Sequence, residues 1–261
     1  DGADGPRPDA PFSPFISGSE LRVVGKVAKG VTGTRIRYWA DPQIFTKGTE
    51  FQPDELMARA RQTAFLVPGL SLSVTDERGE ETRTETFHFS GGISEYVDYL
   101  APDSPLTDTW RITGSGHFTE TVPVLDAQGH MTPTELEREC TVDIALRWGT
   151  GYETAVRSFV NIIATPKGGS HLAGFEQGLL KTLRAEVEKN ARRLKAGTDK
   201  LEKDDVLAGL TAVLTVRIPE PQFEGQTKEV LGTPAARAIV AKVLSDALKA
   251  RFASTKRDDK A

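Results

Sequence analysis

Six of the nine residues at 210–218 are apolar, with only Thr211, Thr215 and Arg217 polar, and Pro219 and Pro221 follow at once. Such a run reads as a buried strand, and proline ends it because it has no N–H to give to a ladder. A sheet therefore lies inside any fold open to this chain, and one of its strands has a stiff exit. Past that exit, Gln222-Phe223-Glu224-Gly225-Gln226-Thr227-Lys228 makes a loop that projects Gln226 and Lys228 with a hydroxyl between them.

Upstream, the first thirty residues are rich in Pro, Gly and Asp and read as loop. Residues 34–39 alternate like a half-buried strand that Asp41-Pro42 ends. Pro53-Asp54-Glu55 opens a helix with Leu56, Met57, Ala60, Ala64 and Phe65 at helical spacing. Residues 69–75 and 83–89 form a hairpin, completing a β-α-β-β block that Gly91-Gly92 closes. A second region begins with a short helix at 94–100. Strands follow near 116–125 and 141–148, on either side of a polar, turn-rich insertion. Residues 153–165 form a strongly apolar strand. A long helix at 174–194 carries Phe175, Leu179, Leu183 and Val187 on one stripe. Asp204-Asp205 starts a short helix, residues 234–252 form the last one, and 254–261 is a charged mobile tail.

At 261 residues the chain makes one large domain or two modest ones, taking roughly 150 residues per domain. Its 33 basic and 37 acidic residues give a net charge of -4, which argues against coating nucleic acid by bulk charge. A single cysteine, Cys140, leaves no intramolecular disulfide, so a reducing cytoplasm is the simplest compartment. No apolar run approaches the roughly 20 residues that span a bilayer, and the N-terminus lacks a signal peptide's basic start.

Phosphate-loop, dinucleotide and zinc-ligand spacings are all absent. The histidines His88, His117, His130 and His171 are scattered, and each reads as a surface or capping residue. Cys140 packs in or beside the strand that follows it. Asp204-Asp205 reads as helix capping, since adjacent helical residues do not face one another. The loop is different. A lysine with three donors, a neutral glutamine donor and a rigid scaffold suit a phosphate sensor. On spacing alone, however, an exposed loop lysine is the simpler reading.

The loop resembles the signature loop in the B subunits of bacterial type II DNA topoisomerases, DNA gyrase B and topoisomerase IV B. The resemblance also runs through Thr32-Gly33-Thr34, Tyr38-Trp39-Ala40-Asp41-Pro42, Phe87-His88-Phe89 and Ala145-Leu146-Arg147-Trp148. It continues through Phe159-Val160-Asn161-Ile162-Ile163, Gly168-Gly169-Ser170-His171 and Asp204-Asp205-Val206, in matching order and spacing. It implies an α+β chain: a partial GHKL β-α-β-β block, the end of an ATPase domain, at 1–90, and a transducer domain at 91–253. The transducer is expected to have a mixed sheet, a left-handed β-α-β crossover and backing helices.

By the same resemblance Lys228 contacts the ATP γ-phosphate, Gln226 helps to position it, and Thr34 lies on the adenine side of the pocket. The implied cofactors are ATP and Mg2+. The implied partners are DNA, the A-type cleavage subunit and a second B subunit through the ATPase region. The family's attacking-water glutamate, magnesium-binding asparagine, adenine-reading aspartate and glycine-rich lid lie upstream of the matched blocks and have no counterpart here. Nor does the downstream Toprim metal site. The chain is therefore expected to be a fragment that alone neither hydrolyses ATP nor relaxes DNA, with apolar surface bared on its first block. The alternative is a stand-alone interaction module on the transducer scaffold; mismatch-repair and chaperone relatives fit the blocks poorly. The insertion at 101–139, with Trp110, His117 and His130, is expected to be a decorative surface hairpin. The helix at 174–194 carries Lys181, Arg184, Lys189, Arg192 and Arg193, interleaved with Glu176, Glu186 and Glu188. Its basic face is thus either solvated or DNA-lining, and Glu176 stands where the family commonly has a basic residue.

Overall fold

The computed structural model describes residues 25–254 except 42, 47, 49, 126–129 and 197–199. The loop expected through residue 24 and the tail from 255 onward lie outside the described residues. The chain forms two compact units, Asp1–Glu50 and Phe51–Ala261.

In the first unit the expected strand at 34–39 does not form, and Ile36, Tyr38 and Trp39 are exposed at 82, 63 and 75%. Alternation alone does not make a strand: its N–H and C=O groups need a neighbouring ladder. Among the described residues no segment pairs with this one. Trp39 is instead stacked under the Arg37 guanidinium, 4.7 Å from its ring centre.

In the second unit, α1 (Pro53–Leu66) begins with Pro53 in its first turn and Asp54 and Glu55 beside it, where the helix dipole favours them. Its Met57 and Ala64 bury against Phe87 of the hairpin made by β1 (Ser71–Asp76) and β2 (Arg83–His88). Phe65 and Leu66, at the end of α1, join Ile93, Tyr96 and Val97 of α2 (Ile93–Leu100).

The central sheet has five strands. In chain order these are β3 (Trp110–Leu125), β4 (Met131–Trp148), β5 (Ala155–Val160), β6 (Ile163–Ala164) and β7 (Leu210–Arg217). Their spatial order is β3-β4-β7-β5-β6, with β7 parallel to β5 and every other pair antiparallel. β7 is therefore central and buried on both faces over most of its length, as its mainly apolar sequence suits. On one face Leu214 and Val216 meet α3 (Ser170–Lys189) and α6 (Ala235–Ser254). On the other, Val213 lies with Ala145 and Phe159 under α2.

Gly174 and Gly178 bring α3 against the backbone of α6 at Arg237 and Ala241; a Cβ on Gly178 would stand 2.9 Å from the Ala241 carbonyl. These matched positions advance together, so the two helices run parallel. Leu244 and Leu248 of α6 are fully buried, each contributing about 2 kcal/mol by burial.

Helix α3 ends earlier than its apolar stripe predicts. Asn190 bonds back to Glu186 through its side chain, and a separate short turn, α4 (Ala191–Leu194), follows. The insertion is more than decoration. Trp110, expected at the surface, is buried in the main core beside Trp148 and Phe252. β3 and β4 pair along their whole length, from Trp110↔Leu146 to Leu125↔Met131. β7 reaches only to Thr141, so the hairpin projects past the sheet as a two-stranded ribbon.

Candidate functional site

The tongue at the exit of β7 is built from its base upward. Asn161 and Ile162 turn β5 into β6, both at positive φ (47° and 67°). Asn161 also bonds Ile218 at both its carbonyl and its N–H. Two prolines then stop the ladder, and Phe223 bridges to Leu231 across the tongue. Gly232 N donates to Gln222 O at 2.7 Å and Glu224 N to Val230 O at 3.0 Å, which closes a short hairpin.

Each leg is tied to a different element. The first leg meets the ribbon, where Arg138 pairs with Glu120 and Glu220 while Gln222 donates to Glu120. The second leg lies along the turn before α3: Ser170 N donates to Leu231 O at 2.9 Å and Leu231 N to Gly168 O at 3.1 Å. Gly169, at φ 130°, leaves no room for a Cβ against the Leu231 backbone. The Lys167 ammonium reaches Glu229 at 2.7 Å, and Thr227 donates to the same carboxylate oxygen at 3.1 Å. The lysine first and the hydroxyl second hold the Glu229 carboxyl below the usual range.

The tip, residues 224–228, is exposed. Gly225 (φ 93°) and Lys228 (φ 57°) are left-handed, and Lys228 N donates to Gly225 O at 3.3 Å. A non-glycine residue at positive φ is uncommon, a feature Lys228 shares with Asn161, Ile162 and Lys195 among the described residues. Gln226 and Lys228 are both exposed. Among the described residues the Lys228 ammonium has no carboxylate partner; its nearest aromatic is Phe223, 6.0 Å from ring centre. The structure therefore brings Gln226 and Lys228 together on one turn. Thr34 is exposed and belongs to the other unit.

Other readings of the sequence fare unevenly. Cys140 is buried in β4, and burial pushes its thiol up to about 11. Asp205 caps the short helix α5 (Lys203–Leu207), accepting from Glu202 N at 2.7 Å. His171 is neither a surface nor a capping residue. It is wholly buried under the tongue's base, with Nε2 3.1 Å from Thr165 Oγ1, and burial lowers its pKa to about 4. On α3, Arg184 is held by Leu201 O and Glu202, and Glu176 by Lys203, so these two side chains are engaged in local contacts. Asn161, Lys167 and Arg138 escaped sequence reasoning as determinants of the tongue. Asn161 alone carried a signal, an amide within an apolar run that must find polar partners. Among the described residues no His, Cys, Asp and Glu side chains cluster in a way that could hold a metal ion, and no helix is long and apolar enough to cross a membrane.

This architecture is that of the B subunits of type II DNA topoisomerases. The model of the DNA gyrase B family matches residues 92–261, and the chain belongs to that family. The gyrase B protein of Streptococcus pneumoniae is 37% identical over 229 residues, 88% of this chain and 32% of the relative. That of Borreliella burgdorferi is 35% identical over 237 residues, 91% of this chain and 34% of the relative. The 43K ATPase domain of Thermus thermophilus gyrase B, solved in complex with an aminocoumarin, superposes with a TM-score of 0.64 at 29% identity. That match covers 89% of this chain and 57% of the other. The chain thus spans about a third of the length of these curated relatives.

Proposed function

We propose that this chain is the end of an ATPase domain, residues 1–90, joined to a transducer domain, residues 91–253, in a type II DNA topoisomerase of the ATP-dependent kind, within its B subunit. Lys228 contacts the ATP γ-phosphate and Gln226 helps to position it, while Thr34, taken by itself in the other unit, is an adenine-side contact. The start of the family match at residue 92 supports the boundary.

One observation carries the reading: a tongue pinned on both legs presents an ammonium and an amide that make no hydrogen bond to the described residues. Those donors fit a terminal phosphate. An ammonium about 4 Å from a phosphate charge gains roughly 4 kcal/mol at an effective dielectric near 20, before desolvation. Loss of the γ-phosphate on hydrolysis removes that partner, so the tilt of the tongue's domain follows the nucleotide state. The transducer then relays hydrolysis to passage of a DNA segment, together with an A-type subunit and a second copy of the B-type one. Mg2+ belongs to the same reaction, but the described residues offer it no ligand cluster.

In the complete subunit, Lys228→Ala is expected to lower ATP turnover on the order of a hundredfold, the usual cost of removing one preorganised donor. The 261-residue chain alone is expected to show no ATP turnover. Wild-type turnover in the Lys228→Ala variant would overturn the assignment.

A further inference from the structure

Within the second unit, the described residues cover only part of the sheet face opposite α3 and α6. Strand register divides it into rows across β3, β4 and β7: Arg111–Ala145–Val213, then Thr113–Asp143–Thr215, then Ser115–Thr141–Arg217. Within a row, neighbours stand about 4.8 Å apart, and successive rows about 7 Å. α1 and α2 bury Ala145 and Val213 in the first row and leave the other two open. These rows floor a cleft of about 450 Å³, with Pro68 and Ile93 among its walls.

The hydrogen-bonding character of this floor is one-sided. Arg111 takes both oxygens of Asp143, at 3.1 and 2.9 Å, and so cancels the carboxylate. Arg217 has no carboxylate partner among the described residues, and the hydroxyls of Thr113, Ser115, Thr141 and Thr215 make no hydrogen bond to the described protein. What remains is a line of free donors, Ser115–Thr141–Arg217, with one uncompensated positive charge beside an apolar wall. A cleft of this size, with a few convergent polar groups, is the usual form of a small-ligand site. A donor-rich, net positive one selects a ligand rich in acceptors.

We propose that the cleft binds a small organic oxyanion, a phosphate monoester or a carboxylate carrying a flat apolar group. The oxyanion lies over Ser115, Thr141 and Arg217, and the apolar part lies against Pro68 and Ile93. This site is independent of the nucleotide reading at Lys228.

The test is titration of the full chain with phenyl phosphate and, separately, benzoate, followed by NMR of the threonine methyl groups. Saturable shifts of Thr113, Thr141 and Thr215 are expected with at least one probe, and the tighter of the two identifies the oxyanion. Phenol, which lacks the charge, is expected to leave those signals still. Arg217→Gln, at an exposed side chain, is expected to weaken binding about tenfold or more, the loss of one charge-assisted hydrogen bond. Lys228→Ala is expected to leave it unchanged. Absence of saturable shifts with both probes, full affinity in Arg217→Gln, or loss of binding in Lys228→Ala would overturn the proposal.

Discussion

The side-chain amide of Asn161 does for Ile218 what a neighbouring strand would do: Nδ2 donates to the Ile218 carbonyl at 2.7 Å, and Oδ1 accepts its N–H at 3.0 Å. The backbone N–H of Asn161 meanwhile continues the ladder to Val216 at 3.0 Å. The last turn of β5 thus sets the direction in which β7 leaves the sheet. Asn161→Ala removes both amide bonds and strains a left-handed backbone, so it is expected to destabilise the fold by about 3 kcal/mol in urea unfolding. Asn161→Gly keeps the backbone free and is expected to cost about 1 kcal/mol less. Equal losses in the two variants would show that the backbone carries no strain.

Ile162, the next residue, is half exposed at φ 67°, where a β-branched side chain is disfavoured. Ile162→Asn is expected to stabilise the protein by about 1 kcal/mol, since asparagine tolerates this region and little burial is lost. A lower unfolding midpoint in this variant would contradict the strain.

Lys167 and Glu229 tie the tongue's second leg, and the pair is solvated enough that stability barely registers it. Glu229→Gln is expected to leave the urea-unfolding midpoint where it is in the wild type. Its titration is more telling. A lowered carboxyl pKa means that the pair's contribution is present above the ordinary glutamate value and is lost as pH falls through the folded one. Carboxyl-carbon NMR is expected to show Glu229 mostly charged at the ordinary glutamate pKa of 4.5. Half-protonation there would mean that the tie is absent.

His171 gives stability a pH dependence of its own. Burial lowers its pKa from 6.5 to about 4, so between those values the unfolded chain binds a proton that the folded chain refuses. Stability therefore falls as pH drops through that window, by about 3 kcal/mol in all, and this contribution is level above and below it. The difference between wild type and His171→Gln isolates it: the variant's curve is expected to be flatter across the window, and parallel curves would refute the assignment.

The legible part of the fold was its periodic part. β7, the β1–β2 hairpin, α1, α2 and α6 all follow from apolar spacing and from proline and glycine punctuation. The strand expected at 34–39 failed because alternation describes a face and says nothing of whether a neighbour exists to pair with it. Trp110 was misplaced because a polar insertion hides a strand whose inner face contains Gly114 and Gly116, glycines that make room for Val243 and Ile239 of α6. Of the candidate site, Gln226 and Lys228 were visible as a motif. The supports at Asn161, Lys167 and Arg138 were not, because each acts across a long sequence separation that only register and turn geometry create.

The central claim is that Lys228 reads the terminal phosphate. The most direct measurement compares the affinities of the complete subunit for a non-hydrolysable ATP analogue and for ADP, with and without Lys228→Ala. The account predicts that the substitution weakens analogue binding by about tenfold or more, as expected for a lost charge-assisted bond, while ADP binding stays the same. An unchanged analogue-to-ADP ratio in Lys228→Ala would contradict it.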